Sequence, residues 1–330
     1  MRFLVTGATG LLGNNVVRQL LAAGESVRVL ARPTADPRPL AGLDVEVAAG
    51  DVRNFDSVRC ACQGISAVIH AAGYVHVGWK QADLHRAINV EGTRHVAIAA
   101  REAGAKLVHV STVNALGLGR LEQPADEETA LPGIIAVPYV TTKREAERIV
   151  LEEVNRGLWA AIVNPATMFG PWDWKPSSGK MLLEVTRQSL FAPVGSASFG
   201  DARDVAAAAI AALNQGQPGR RYILAGHNLP YQVVWRQIAG LVGKGGPRLP
   251  MGPIFRALGA PLCDLKTLLT GVEGAANSAA LAMGRQSHCF TSARAERELG
   301  YRIRPLDETL RDAWQWFVEH GYVSQKAGTQ

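Results

Sequence analysis

The chain has 330 residues, of which 47% are hydrophobic and 19% charged, so it can fold around a sizeable core. Its basic residues give a formal net charge of +6 but are scattered along the chain, which argues against a nucleic-acid-binding protein. No apolar run is long enough to span a bilayer, and no signal-peptide pattern opens the chain, so we expect a cytoplasmic protein without stable membrane insertion. The four cysteines do not have the spacing of metal ligands, so we expect no metal site.

Short apolar runs alternate with helical stretches from the start of the chain. Strands are predicted over 3–6, 26–31, 44–48, 67–70, 106–111, 160–164 and 221–224. Helices are predicted over 11–23, 81–103, 138–156 and 204–213. Strands of this apolar type are buried on both faces. Their alternation with helices predicts an α/β fold with a doubly wound parallel sheet of the Rossmann type.

The second half of the chain has a different pattern. A loop rich in Gly, Pro and Trp is predicted over 167–179, an apolar helical segment with many breaks over 228–288, and two amphipathic helices over 292–322. The main domain is predicted to cover 1–165 and 197–226, a smaller, mostly helical substrate lobe 166–196 and 227–322, and a tail 323–330. Leucines of the lobe, among them Leu249, Leu262, Leu268 and Leu269, favour either a hydrophobic substrate or ordinary helix packing.

A glycine-rich turn follows the first predicted strand and opens the first predicted helix. Residues 7–13 read Gly-Ala-Thr-Gly-Leu-Leu-Gly. The first glycine permits a tight turn, the second lets the backbone approach a pyrophosphate, and the third allows close packing of helix on strand. Because a helix N-terminus binds anions, the turn predicts a dinucleotide site made by Gly7, Thr9, Gly10, Leu11, Leu12 and Gly13.

The end of the second predicted strand favours NADP(H) over NAD. An acidic side chain there would accept hydrogen bonds from a ribose, but the sequence has Ala31 followed by Arg32. A guanidinium pairs well with a 2′-phosphate, and Arg38 could assist. Asp51 and Val52, after the third strand, are predicted to hold the adenine.

Tyr139 and Lys143 stand at i and i+4 on the predicted helix 138–156, so they share one face of it. A tyrosine hydroxyl can protonate a carbonyl as hydride arrives, or accept the proton in the reverse direction. Its ordinary pKa of about 10 is too high for a base near neutrality, but a nearby ammonium favours the phenolate. The pair therefore predicts a hydride-transferring enzyme with Tyr139 as general acid/base, and Lys143 could also bind the nicotinamide ribose.

Two further polar positions belong to the predicted site. A hydroxyl that holds the substrate carbonyl is expected at the end of the fifth strand, where either Ser111 or Thr112 could serve. Asn89, on the preceding long helix, is expected to have a structural or water-holding role near Lys143.

Several short motifs follow one another along the chain: GATGLLG (7–13), HAAG (70–73), NVEGT (89–93), VST (110–112), YVTTK (139–143), NPATMFGP (164–171), DARDVA (201–206) and ERELGY (296–301). In this order they resemble the extended short-chain dehydrogenase/reductase family, also called the NAD-dependent epimerase/dehydratase family, over essentially 1–322. Within it, segments 27–36 and 48–53 look like the dihydroflavonol 4-reductase-like branch, whose members are mostly NADPH-dependent carbonyl reductases. Segment 164–179 is similar to hopanoid-associated sugar epimerases.

The resemblance implies the functions of further residues. It places the active-site hydroxyl on Thr112, with Ser111 beside the cofactor. It lines the cofactor with Ala71, Ala72 and Gly73, and with Asn89. It sets the backbone of Pro165, Ala166 and Thr167 against the nicotinamide carboxamide, and Asn164 and Phe169 on the substrate side. Family members often form homodimers, here through helices 81–103 and 138–156.

The sequence departs from the family pattern at two places that bear on the reaction. Dehydratases carry an Asp-Glu pair directly after the active-site threonine, where this chain has Val113 and Asn114, so dehydration is disfavoured. Before DARDVA, Phe199 and Gly200 replace the usual apolar-His-Val segment.

Three functions remain open at this point. The first is NADP(H)-dependent reduction of a ketone or aldehyde, or oxidation of the alcohol. The second is epimerisation of a nucleotide sugar with tightly bound NAD; Asn164 and the basic charge favour it, and Arg32 opposes it. The third is a non-catalytic dinucleotide sensor or scaffold, which the presence of both Tyr139 and Lys143 opposes. In the first two cases the partner is a small-molecule substrate.

Overall fold

The structure is a computed structural model that describes residues 1–130, 133, 135–188, 191–247, 249–270, 272–274 and 277–323, with the side chains of 186–188, 253–258, 260, 265 and 266 left out of the description. Its main sheet is built of β1 (Arg2–Thr6), β2 (Ser26–Ala31), β3 (Glu46–Ala49), β4 (Ala67–His70), β5 (Lys106–Val110), β6 (Ala160–Pro165) and β10 (Arg221–Leu224). All seven strands are parallel, in the order β3-β2-β1-β4-β5-β6-β10. The predicted Rossmann-type fold is confirmed.

Helices cover both faces of this sheet. On one face lie α1 (Leu11–Ala22), α7 (Ala202–Gln215) and α11 (Ala293–Leu299), which share an apolar cluster with Val5, Val29 and Val108 of the strands. On the other face lie α2 (Phe55–Cys62), α4 (Gly92–Glu102) and α5 (Pro138–Asn155), packed on Leu4 and Leu107. The sheet is therefore the middle layer of three.

The helix predicted over 81–103 is divided. It consists of α3 (Ala82–His85), a wide π-helical turn (Arg86–Glu91) and α4. Such wide turns inside helices are frequent at functional sites. Here the turn contains Asn89, one of the predicted site residues.

A smaller lobe lies beyond β6 and contains more strand than the sequence predicts. Its strands are β7 (Thr167–Phe169), β9 (Ser196–Asp201), β11 (His227–Pro230) and β13 (Ser287–His288) in one sheet, and β8 (Phe191–Ala192) with β12 (Leu249–Pro250) in another. Its helices are α6 (Gly179–Gln188), α8 (Tyr231–Leu241), α9 (Pro253–Thr270), α10 (Ser278–Met283) and α12 (Leu306–Glu319). The predictions of a loop from residue 167 and of a helical segment with many breaks over 228–288 are wrong at these strands, because strands this short carry too few residues for a period-two pattern.

The predicted division into domains stays a prediction. Strand β9 pairs with strands of the smaller sheet, whereas α7 and β10, which follow it directly, belong to the main domain. Residues 324–330 of the predicted tail lie outside the described residues.

The lobe leucines singled out in the sequence lie at the surface. Leu262 is 64% exposed, and Leu268 and Leu269 are each 77% exposed. The side chains of Ile254, Phe255, Leu258 and Leu265, which belong to the same predicted apolar set, lie outside the described residues, so the choice between a hydrophobic substrate and helix packing stays a prediction. Within the described residues, none of the helices is both long enough and apolar enough to cross a membrane.

Candidate active site

The glycine turn joins β1 to α1 with very little space. Gly7 has a φ of +74°, and a Cβ on it would lie 2.6 Å from the carbonyl carbon of Ala71. A Cβ on Gly13 would lie 2.2 Å from the carbonyl oxygen of Gly7. Neither position accepts a side chain without a backbone shift. This lack of space is what a tight turn at Gly7 and close helix packing at Gly13 require.

The same turn fits the pyrophosphate of a dinucleotide. At Gly10 the nearest atom to an added Cβ is the Gly7 carbonyl oxygen, at 3.4 Å, so one side of this residue is open. Helix α1 begins there without a side-chain cap and without an acidic residue in its first turn. Its first N–H groups and the positive end of its dipole are thus available to an anion.

A cleft of about 310 Å³ lies at the carboxyl ends of β2 and β3 and is lined by Arg32, Pro33, Thr34, Gly50, Asp51, Arg53, Asn54 and Ser57. Arg32 is exposed on its edge. The carboxylate of Asp51 is paired with Arg53 at 2.8 Å, and this pairing lowers the pKa of Asp51. Arg53 was not predicted from the sequence, although it stands next to Val52 in the same segment.

Arg38 and Val52, which were also predicted to bind the adenosine part of the cofactor, have different environments. Arg38 pairs with Asp36 at 2.6 Å. Val52 is buried and packs under Gly92, where an added Cβ would lie 2.9 Å from Val52 Cγ2. Of the two arginines named from the sequence, only Arg32 lines the cleft.

The segment after β4 crosses the point where the strand order of the sheet reverses. The backbone N–H of Ala71 donates to the Thr6 carbonyl at 3.1 Å, and that of Ala72 to Thr6 Oγ1 at 3.3 Å. The segment therefore runs against the glycine turn, between β1 and β4. In open α/β sheets such a reversal creates the crevice in which ligands bind.

Tyr139, Lys143 and Thr112 are brought together by α5 and the end of β5. Tyr139 stands in the first turn of α5, behind Pro138 at the position where proline favours helix initiation. The three side chains belong to residues only 7%, 5% and 5% exposed, respectively. Lys143 Nζ donates to the Val110 carbonyl at 2.6 Å, which ties α5 to the end of β5.

Burial controls the protonation of this pair. It raises the pKa of Tyr139, and a hydrogen bond with Thr112 lowers the same pKa in part. Burial also lowers the pKa of Lys143 to about 8, against the opposing effect of Glu147. Near neutral pH, Tyr139 thus keeps its proton and Lys143 keeps its charge. This is the state required of a proton donor with a cation one helical turn away on the same helix.

A buried polar network lies behind Thr112. The Asn164 amide donates to the Thr112 carbonyl at 3.0 Å and to Glu147 Oε1 at 2.7 Å. Arg221 Nε donates to Glu147 Oε2 at 2.7 Å. Glu147 and Arg221 were not predicted from the sequence. The spacing could have indicated Glu147, because Tyr139, Lys143 and Glu147 recur every four residues along α5.

The two residues predicted on the substrate side are enclosed. Asn164 has no exposed surface, and Phe169 is 1% exposed and stacks on Phe199 with ring centroids 6.1 Å apart. Their contact with a substrate stays a prediction. In this conformation Asn164 supports the Thr112 backbone.

Asn89 is held by the segment that follows β4. Its Oδ1 accepts from the Tyr74 N–H at 2.8 Å, and its Nδ2 donates to the Tyr74 carbonyl at 3.1 Å and to Thr142 Oγ1 at 3.2 Å. An added Cβ on Gly73 would lie 3.4 Å from Asn89 Oδ1. Asn89 thus joins the wide turn, the segment after β4 and α5, and its predicted place beside the cofactor stays a prediction.

Tyr139 belongs to an apolar cluster that includes side chains from three other segments. Val77 comes from the segment after β4 and Ile135 precedes α5, while Ala279 and Met283 come from α10 of the lobe. Ser111, beside Thr112, has its Oγ buried without a hydrogen-bond partner in the described part of the chain. Pro165 ends β6, and the Ala166 N–H donates to the Leu224 carbonyl at 3.1 Å, so the segment predicted to face the nicotinamide is anchored to β10.

Comparison with known proteins places the chain in a family. Residues 3–225 match the sequence profile of the NAD dependent epimerase/dehydratase family. Sterol demethylase protein B of Methylococcus capsulatus is 34% identical over 98% of this chain and 100% of its own length. A dihydroflavonol 4-reductase-like protein of Synechocystis sp. is 32% identical over 97% of this chain and 96% of its own. The crystal structure of a protein called gox2253 superposes with a TM-score of 0.85 at 34% identity, covering 98% of this chain and 99% of that one.

The fold and the site thus define a Rossmann-type oxidoreductase. The chain belongs to the NAD-dependent epimerase/dehydratase family, the extended short-chain dehydrogenases/reductases, and is an NAD(P)-dependent oxidoreductase. The family resemblance drawn from the motifs is confirmed.

Proposed function

We propose that the protein is an NADP(H)-dependent reductase of a ketone or aldehyde, with Tyr139 as the proton donor. The observation that carries this proposal is the apolar cluster that Tyr139 shares with Ala279 and Met283, against which Val77 and Ile135 pack. Such a cluster favours a carbonyl compound with apolar substituents. A nucleotide sugar would require polar groups to bind its hydroxyls and phosphates.

The chemistry follows from where the hydroxyls and charges lie. The Thr112 and Tyr139 hydroxyls are close enough to hydrogen-bond, so both can contact one carbonyl oxygen between them. Bound NADPH supplies the hydride. Tyr139 passes its proton to the oxygen that becomes negative, and the Lys143 ammonium stabilises the phenolate left on Tyr139.

Arg32 supports the choice of NADP(H). It is exposed in the cleft at the ends of β2 and β3, and Arg53 on the same cleft neutralises Asp51. A 2′-phosphate placed there would meet a cationic cleft instead of an acidic side chain. The similarity to a dihydroflavonol 4-reductase-like protein along nearly the whole chain supports a reductase.

The epimerase alternative rests on Asn164, which the family resemblance places near substrate phosphates. Here the Asn164 amide nitrogen donates to Thr112 and Glu147, its Oδ1 has no hydrogen-bond partner within the described residues, and the residue is fully buried. This arrangement favours the reductase.

A direct test is to follow NADPH and NADH oxidation by the purified protein with a panel of ketones and aldehydes. The expected result is carbonyl-dependent oxidation with a preference for NADPH. Tightly retained NAD together with epimerisation of nucleotide sugars and no net oxidation would contradict the proposal.

A further inference from the structure

Glu273, between α9 and α10 of the lobe, has a buried carboxylate that binds the segment following β4. Only 5% of its side-chain surface is exposed. Its Oε1 accepts from the Trp79 N–H at 2.9 Å, and its Oε2 accepts from the Lys80 N–H at 3.0 Å and lies 3.0 Å from His76 Nε2. All three partners belong to segment 76–80, so one side chain of the lobe is bound by three groups of a distant segment.

The charge of Glu273 determines which atoms donate. Burial raises the pKa of Glu273, but hydrogen bonds from the Trp79 and Lys80 N–H groups and from His76 lower it by more, so the group is a carboxylate near neutral pH. A carboxylate can only accept hydrogen bonds, so His76 Nε2 carries a hydrogen and donates it. Hydrogen bonds to an ionised group are about twice as strong as those between neutral groups.

Two further hydrogen bonds join the start of α10 to the same segment. Asn277 Nδ2 donates to the Val77 carbonyl at 2.8 Å, and Trp79 Nε1 donates to Ser278 Oγ at 2.9 Å. Asn277 has no exposed surface. We call the hydrogen bonds of Glu273, Asn277 and Ser278 to segment 76–80 the latch.

The latch joins the two segments that bring apolar side chains to Tyr139. Ala279 and Met283 of α10 share a buried cluster with Tyr139, and Val77 packs against that cluster. Under the proposed function this cluster is the apolar wall of the substrate site. The position of the wall therefore depends on the contact between α10 and segment 76–80.

We propose that Glu273 is a positioning residue, which holds α10 beside Tyr139 so that the apolar wall can bind a ketone. This inference rests on the proposed reductase function. The groups that transfer the proton stand on α5 and at the end of β5, and the glycine turn lies after β1. Loss of the latch should therefore weaken ketone binding much more than proton transfer or dinucleotide binding.

The first test is Glu273→Ala, assayed with the ketone of the panel that the wild type reduces fastest. KM should rise roughly tenfold to a hundredfold, with only a few-fold change in kcat, because an interaction that positions the substrate site is lost while the reacting groups stay in place. The dissociation constant of NADPH should not change. Glu296→Ala, which removes an exposed carboxylate on α11, is the matched control and should keep the wild-type KM. An unchanged KM in Glu273→Ala would overturn the proposal.

Gly78→Ala breaks the latch from the opposite side without removing a charge. A Cβ on Gly78 would lie 2.5 Å from the Glu273 carboxyl carbon and 2.6 Å from His76 Nε2, which are ends of side chains and can move. Gly78→Ala should therefore raise KM as Glu273→Ala does. The double variant should have no higher KM than either single variant, because both changes break the same hydrogen bonds. Increases that multiply in the double variant would contradict a shared latch.

Hydrogen–deuterium exchange separates this proposal from the proposed function, because it needs no substrate. In Glu273→Ala the amides of Trp79 and Lys80 should exchange roughly tenfold faster than in the wild type, whereas those of the glycine turn should not change. Unchanged exchange at Trp79 and Lys80 would contradict the latch, and faster exchange with an unchanged KM would contradict its role in positioning. Failure of the wild type to reduce any carbonyl compound would contradict the reductase function, and the exchange rates would still decide whether the latch exists.

Discussion

The two ends of the active-site crevice are built in different ways. The phosphate-binding turn consists of consecutive residues, 7–13, and works through backbone N–H groups and missing side chains. The catalytic end collects Thr112, Tyr139, Asn164 and Met283 from segments far apart in the chain and buries them. The turn is therefore sensitive to a single added Cβ. The catalytic end is sensitive to the burial and charge that set its pKa values.

The largest expected effect lies at the catalytic end. Tyr139→Phe removes the proton donor, so kcat/KM for carbonyl reduction should fall by about a thousandfold, while dinucleotide binding is retained. Steady-state kinetics and a fluorescence titration with NADPH measure the two quantities. Tyr231→Phe, in the lobe, is the matched control and should keep its activity. Full activity in Tyr139→Phe would contradict the role of Tyr139 as proton donor.

The phosphate turn should respond differently at two of its three glycines, Gly13 and Gly10. Gly13→Ala forces a Cβ to within 2.2 Å of the Gly7 carbonyl oxygen, so it should destabilise the protein by about 1 to 3 kcal/mol and weaken dinucleotide binding more than tenfold. A Cβ added at Gly10 would lie 3.4 Å from the Gly7 carbonyl oxygen, which is an ordinary contact. Gly10→Ala should therefore weaken dinucleotide binding with little effect on stability. Thermal unfolding and NADPH titration distinguish the two. Equal stability losses at both positions would contradict this account of the turn.

Cofactor preference should be controlled by an exposed charge. Arg32→Asp is expected to change the ratio of NADPH to NADH dissociation constants by roughly tenfold to a hundredfold in favour of NADH. Because Arg32 is exposed, stability should be unaffected. Arg59→Asp, an exposed arginine on α2, controls for the change in net charge. An unchanged ratio would mean that the cleft at β2 and β3 does not select the cofactor.

The smallest effect is expected in the pH profile. Glu147 raises the pKa of Lys143, which burial lowers to about 8. Glu147→Gln removes the raising effect, so Lys143 should lose its proton at lower pH, and the alkaline fall of kcat/KM should move in the same direction. Activity at pH 7 should change by only a few-fold. Glu145→Gln, on the same helix and paired with Arg86, should leave the profile in place. A shift to higher pH would contradict the assignment.

The homodimer through α4 and α5 stays a prediction. The two helices lie side by side and are joined by the Arg101–Glu153 ion pair at 2.7 Å. Light scattering after gel filtration measures the molar mass in solution and so distinguishes a monomer from a homodimer.

The sequence by itself determined the Rossmann-type sheet, the glycine turn and the Tyr139–Lys143 pair. Each is encoded by local order: apolar strands between helices, a turn that only glycine can make, and two side chains one helical turn apart. Only the tertiary structure decided that Glu147 opposes the effect of burial on Lys143, that Asn164 supports Thr112, and that Glu273 binds segment 76–80. Those relations depend on which distant segments are buried against each other, and burial sets the protonation of each group. The four-residue spacing places Glu147 on the same helix face as Lys143, but it does not show which groups are buried.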